Sequence, residues 1–151
     1  MLNDCCCFLK QINFRNVYVK TADLEKVFLT IPIIKNVKIV LTTGNIVFTS
    51  NKNIIDIYDC IKQTLQEYFN YSFDVFIKSM YEIKTIITDN PFKEKNDFVI
   101  QTFISNNNDY IADDILKEFN NNMYIKTKEE QMRIINKQLY WQYSRDIKAY
   151  G

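Results

Sequence analysis

Apolar positions follow two rhythms along this chain, one of period two and one of period 3.6. Cys5 to Leu9 is a short, continuously apolar run, the pattern of a strand buried on both faces. After a polar connection over 11–16, Leu24, Val27, Phe28 and Ile31 fall on one helical face. Thr21 is placed to cap that helix, Asp23 and Glu25 suit its positive end, and Pro32 marks the exit. Val37 to Leu41 and Ile46 to Thr49 are β-rich runs joined by Thr42-Thr43-Gly44-Asn45, a hairpin signal in which Gly44 supplies the positive φ of the turn. Ile54, Ile57, Tyr58, Ile61, Leu65 and Tyr68 form the clearest amphipathic stripe, with Cys60 at its margin, and Phe73 to Ile77 reads as the next strand.

The order β-α-β-β-α-β suits an antiparallel four-stranded sheet with two helices on one face, the ferredoxin-like arrangement. The second half opens on Ser79-Met80-Tyr81-Glu82, a capping box for a helix carrying Ile83, Ile86 and Ile87. That helix closes before Asn90-Pro91-Phe92. Phe98 to Ile104 is a strand, Ser105 to Asn108 a polar loop, and Ile111, Ile115, Leu116 and Phe119 mark one more helix face, which Asn120 to Asn122 breaks. The tail has two readings. Thr127-Lys128-Glu129-Glu130 resembles a capping box, which would make 128–136 helical; Met132 to Ile135 and Leu139 to Tyr143 read as a hairpin turning at Asn136-Lys137, and their aromatic and β-branched content favours it.

The expected fold class is therefore α+β. A ferredoxin-like subdomain spans 1–78, and a second, smaller α+β subdomain of helix, strand, helix and terminal hairpin spans 79–151. The first strand offers apolar groups on both faces, so the two are expected to pack into one compact unit.

Composition removes whole classes of chemistry. Among 151 residues there are 19 basic and 18 acidic side chains, a net charge of +1, and no histidine. The usual general base, the commonest metal ligand and the physiological pH switch are thus missing. A near-neutral chain lacks the broad basic patch of a nucleic-acid or membrane-surface binder. At 47% apolar and 15% aromatic it can bury a real core. Abundant Ile, Asn and Lys point to an AT-rich genome, so single residues of these types weigh little. No apolar run approaches the ~20 residues that span a bilayer. The start, Met1-Leu2-Asn3-Asp4, lacks the basic and apolar regions of a secretion signal, so a cytoplasmic protein is expected.

The candidate chemistry is correspondingly thin. Cys5, Cys6 and Cys7 point to alternating faces of a strand and cannot converge on one ion; with Cys60 they read as buried thiols of a reducing compartment, so neither metal nor cofactor is expected. Asp113, Asp114 and Glu118 lie opposite the Ile111/Ile115 stripe, and they and the Glu129-Glu130 pair read as solvated carboxylates. A serine triad and a glycine-rich phosphate loop are excluded by the missing histidine and glycines. A base-stacking platform would need two aromatics and a basic residue on the central strands, whereas Asn45 to Ser50 carries one aromatic.

Taken together these segments resemble the DUF1697 family, small bacterial proteins of unassigned activity. The family opens on Leu-Arg-Gly-Ile-Asn, then a double glycine, then Lys-Met-Ala-Asp-Leu. Here Leu9-Lys10-Gln11-Ile12-Asn13 and Lys20-Thr21-Ala22-Asp23-Leu24 stand in those places. The family's Ser-Gly-Asn-Val-Val-Phe hairpin appears as Thr43-Gly44-Asn45-Ile46-Val47-Phe48, and its Asn-Pro-Phe as Asn90-Pro91-Phe92. The ordered set, from about residue 5 to about residue 145, is specific where each piece is not. The resemblance implies two α+β halves, the first ferredoxin-like, and a terminal hairpin; it implies no reaction and no cofactor. The chain departs from the pattern where Lys10-Gln11 replaces Arg-Gly and Arg15-Asn16 replaces the double glycine. The family also continues into a basic stretch and an Arg-Asn-Trp motif, so a clipped or degenerate member is expected here.

The leading functional expectation is a non-catalytic binding or interaction module with a polar, cationic cleft at the loop from strand one to helix one. Lys10, Asn13 and Lys20 would converge there on a small anionic or polar ligand, with Thr43, Asn45 and Asn90 as further candidates. The competing view is that Asn13, Asn45 and Asn90 hydrogen-bond backbone at turns. The alternatives are an enzyme using Lys10 or Lys20 as its cation, a homodimer covering the exposed sheet face and, last, a nucleic-acid-binding protein.

Overall fold

The computed structural model describes residues 2–10, 19–40, 44–104, 111–121 and 130–146. The chain divides into two compact units, Met1–Lys84 and Thr85–Gly151.

The first unit runs β1 (Asn3–Lys10), α1 (Thr21–Leu29), β2 (Lys35–Val40), β3 (Asn45–Ser50), α2 (Ile54–Phe69) and β4 (Asp74–Ser79), then enters α3 (Met80–Thr88). Its strands form one antiparallel sheet in the order β2-β3-β1-β4. On central β1, Cys7 lies opposite Ile46 on one side and Ile77 on the other. Strand periodicity sends Cys5, Cys7 and Leu9 to one face and Cys6 to the other. The first face is the core: Ile46, Phe48, Val75 and Ile77 join it, and α1 (Leu24, Val27, Phe28) and α2 (Ile57, Ile61, Leu65) bury their stripes against it. Both helices therefore cover the same face of the sheet.

Local chemistry explains the boundaries. Asn53 caps α2, its side-chain oxygen accepting from the Asp56 N–H at 2.9 Å, and Asn70 closes the helix in the left-handed region at φ 50°. Gly44 takes the positive φ expected of it, 79°. The start of α1 differs from the sequence expectation: Thr21 is its first helical residue, and Lys20 is the extended residue before it, with no side-chain cap. The Lys20 carbonyl already accepts from the Asp23 and Leu24 N–H groups at 3.1 Å each, which fixes the first turn one residue earlier.

The capping box forms in full. The Ser79 N–H and hydroxyl both donate to Glu82 Oε2 at 2.8 Å, and the Glu82 N–H donates to Ser79 Oγ at 3.2 Å. Burial acts to raise the Glu82 carboxyl, but the Ser79 bonds and the Lys78 ammonium, 3.4 Å away, outweigh it and hold the group below its ordinary value of 4.5. A carboxyl depressed in the folded state stabilises it above the unfolded value and loses that contribution as pH falls through the folded one. Urea midpoints measured from pH 6 down to pH 3 are therefore expected to fall more steeply for the native chain than for Glu82→Gln, which keeps the cap but does not titrate. Parallel slopes would remove Glu82 from the acid response.

The second unit takes the remainder of α3, then β5 (Phe98–Thr102), α4 (Ile111–Asn121), β6 (Glu130–Ile135) and β7 (Gln138–Ser144). The strands form a second antiparallel sheet, β5-β7-β6. The tail is thus the hairpin, and 130–135 is a strand rather than part of a helix. Its two-residue turn, Asn136-Lys137, has positive φ at both positions, 48° and 64°, the primed geometry that matches strand twist. Central β7 is buried along its length except at half-buried Trp141. Two of its polar side chains find backbone partners: the Tyr140 hydroxyl donates to the Ile86 carbonyl at 2.8 Å, and the Gln138 amide donates to the Phe103 carbonyl. On α4, Phe119 is buried while Asp113, Asp114 and Glu118 face water, as their spacing required. Glu130 does not, since on β6 it is buried and burial raises its carboxyl, and Glu129 lies outside the described residues.

Candidate functional site

The predicted site lies at the end of the first sheet where β1 stops. There β1 pairs with β3 through Phe8 and Asn45, and the Leu9 N–H donates to the Gly44 carbonyl at 2.9 Å, carrying the pairing into the hairpin turn. On the other side Lys10 stands opposite Asp74, and Phe8 opposite Phe76. Since Leu9, Ile46 and Val75 point into the core, Phe8, Lys10, Asn45 and Asp74 share the opposite face of the sheet.

Lys20 reaches the same end by topology. Helix α1 follows β1 in the chain and leads into β2, whose first residue, Lys35, pairs with Thr49 at the far end of β3. The start of α1 therefore lies at the Lys10 end, and Val19, beside Lys20, is buried in the same core as Leu9. Lys10 and Lys20 are both exposed.

The other candidates separate. Asn13 and Thr43 lie outside the described residues. Asn90 belongs to the second unit, and its side-chain oxygen accepts from the Phe92 N–H at 3.0 Å across Pro91. That bond is the local turn role. The structure thus places Lys10 and Asn45 on one face at one end of the first sheet, with Lys20 preceding α1 on the other face, and gives Asn90 a local turn role.

The cysteines are not a reactive cluster. Burial raises all three β1 thiols, and it pushes Cys6, helped by Cys5, up to about 11. Thiols in that state are poor nucleophiles and poor metal ligands at neutral pH. Among the described residues no group of three or more Cys, Asp or Glu side chains is gathered to hold a metal ion. No helix among them is long and apolar enough to cross a membrane.

One feature of the second unit has no counterpart in the sequence expectations. An open groove of about 840 Å³ lies between α3 and β5, with Asn90, Lys95, Arg145 and Ile100 among its walls. Its signal was present in β5 itself, the one edge strand among the described residues without a charged side chain, but only the strand order makes β5 an edge.

Comparison with protein families matches residues 2–140 to DUF1697, described as a protein of unknown function. The chain belongs to the DUF1697 family. Comparison with curated proteins finds no match. Among solved structures, the DUF1697 chain resembles the conserved bacterial protein SP0830 from Streptococcus pneumoniae, with a TM-score of 0.74 at 13% identity, covering 97% of this chain and 79% of that one. At that identity the likeness establishes a shared α+β fold. It is consistent with two antiparallel sheets surviving extensive sequence change, because strand and helix periodicities constrain residue class rather than identity.

Proposed function

We propose that this DUF1697 chain is a non-catalytic binding module. Its first unit is read as ferredoxin-like, and it presents a polar, cationic surface to a small anionic or polar ligand at the Lys10 end of the sheet. The observation that carries the reading is the sheet register, by which Lys10 and Asn45 share one face at the end of the sheet where Lys20 precedes α1. Two exposed ammonium groups attract an anion at the surface, where each cation keeps part of its hydration and the desolvation cost is small. The order β2-β3-β1-β4 with two helices on one face supports the ferredoxin-like description. Buried, protonated thiols support a reducing, cytoplasmic setting.

The enzyme reading needs a lysine made nucleophilic or basic by desolvation, and the exposure of Lys10 and Lys20 speaks against it. Base stacking on β3 is disfavoured because Phe48, its one aromatic, is buried beneath the helices.

Thermal unfolding in millimolar pyrophosphate, citrate or phosphate tests the proposal. At least one anion is expected to raise the midpoint of the native chain and to leave Lys10→Ala/Lys20→Ala unmoved; a ligand at a hundredfold its Kd adds about 2.7 kcal/mol. An equal rise in both proteins, or none with any anion, refutes a site built on these lysines.

A further inference from the structure

A free sheet edge is a template for another strand, and folded proteins guard such edges with charge, bulges or proline. Of the four edge strands among the described residues, β2 carries Lys35 and Lys38 around a register shift, β4 carries Asp74 and Lys78, and β6 carries Glu130 and Arg133. Strand β5 reads Phe98-Val99-Ile100-Gln101-Thr102, with neither charge nor proline.

Hydrogen bonds flanking β5 fix which of its backbone groups face outward. The Arg145 N–H donates to the Asp97 carbonyl at 2.9 Å, and the Phe103 N–H donates to the Leu139 carbonyl at 3.2 Å. Positions 97 and 103 thus face β7 and its continuation, so by strand alternation 99 and 101 do too, and 98, 100 and 102 face away. The Phe98 N–H is taken by the Lys95 carbonyl at 3.1 Å. The N–H and C=O groups of Ile100 and Thr102, with the Phe98 carbonyl, are left on the open edge, without a strand partner among the described residues.

That edge is the floor of the 840 Å³ groove, which touches Phe98, Val99, Ile100 and Thr102. Neighbouring residues of a strand point to opposite faces, so a cavity touching them in succession runs along the edge rather than over a face. Ile86 and Ile87 of α3 form the other wall, and Ile87 is 69% exposed. The groove's two lining cations stand at the Phe98 end, where Asp97 and Asp146 are also exposed. Lys95 Nζ lies 5.4 Å from the centre of the Phe98 ring, and Arg145 follows Ser144, the cross-strand partner of Phe98. Both are exposed and neither is in an ion pair among the described residues, against one acidic lining residue, Glu94.

We propose that this groove takes an extended peptide segment of another protein as a fourth strand on β5. Its apolar side chains lie against Ile86 and Ile87, and an acidic side chain meets Lys95 and Arg145. The backbone ladder supplies affinity, and the two walls and the two lining cations supply selectivity. A second copy of this chain fits less well. Antiparallel pairing of β5 with its twin would set Lys95 and Arg145 against the Thr102 end of a strand that carries no carboxylate of its own. The inference uses the second unit alone and does not depend on the anion site of the first.

The test is fluorescence anisotropy of a labelled synthetic decapeptide of alternating valine and threonine closing on two glutamates. Binding in the micromolar range is expected, a Kd of about 1–100 μM. The same peptide N-methylated at alternate amides, which cannot form the ladder, is expected to bind at least tenfold more weakly. Ile100→Pro, which removes an outward N–H while sparing the bonds to β7, is expected to weaken it similarly. Arg145→Glu is expected to reverse the preference toward a peptide closing on two lysines. No binding by the unmodified peptide, equal binding by the N-methylated one, or a concentration-dependent dimer that Ile100→Pro dissociates would each overturn the proposal. Lys10→Ala/Lys20→Ala is expected to bind the peptide like the native chain, which separates this outcome from that of the anion titration.

Discussion

Replacing Phe48 by alanine is expected to cost about 3–5 kcal/mol of stability, the range for deleting a fully buried aromatic ring. Phe48 has no exposed surface, sits on an interior strand of the first sheet and packs tilted against Phe28, with ring centres 6.5 Å apart. Strands β1 and β2 hold β3 on both sides, so the backbone cannot close over the vacancy, and the lost contacts add a cavity term to the transfer term. The neighbouring Val47 is the internal control. It stands on the opposite face, opposite Cys6, and is half-buried, so Val47→Ala is expected to cost about 1 kcal/mol. Urea unfolding followed by far-UV circular dichroism measures both. Equal losses at the two positions would mean that the faces of β3 are wrongly assigned, and with them the placement of Asn45 and Lys10.

The same contrast shows what a one-dimensional reading can reach. Features whose cause lies within a few residues were legible. The stripe from Ile54 to Leu65 needs only helical spacing, the Ser79/Glu82 box only a three-residue offset, and the turns at Gly44 and Asn136-Lys137 only a backbone that tolerates positive φ. Features set by competition or by distant partners were not. Thr21 is the better capping residue by type, yet the chain enters the helix at Lys20. Asn36 at φ 54° and the register shift between Lys35 and Lys38 leave no mark in the hydrophobic pattern. The site was legible to the same extent. That Lys10 and Asn45 are neighbours follows from pairing β1 with β3, which the element order suggests, whereas the outward amides of β5 follow from hydrogen-bond parity, which no residue type encodes.

Tyr140 is the position where packing and hydrogen bonding can be separated in the second unit. It is fully buried on the central strand, and its hydroxyl donates to the Ile86 carbonyl, 54 residues away in sequence, at 2.8 Å. Tyr140→Phe keeps the ring but leaves that carbonyl without its donor, a cost of about 1–3 kcal/mol. Tyr140→Ala removes the ring as well and is expected to reach about 3–5 kcal/mol. The single tryptophan, Trp141, is its neighbour on β7, so intrinsic fluorescence reports unfolding at this strand directly. Ionisation gives a third readout. Burial, aided by the charge of Asp89, raises the Tyr140 phenol above its ordinary value of 10.0. The bond's contribution is therefore intact below pH 10 and declines as pH rises through the folded value, because the unfolded chain then releases a proton that the folded one retains. Stability of the native chain is expected to fall between pH 9 and 11 more steeply than that of Tyr140→Phe. If the two slopes agree while Tyr140→Ala alone is destabilised, Tyr140 acts through its ring and the link to Ile86 contributes nothing.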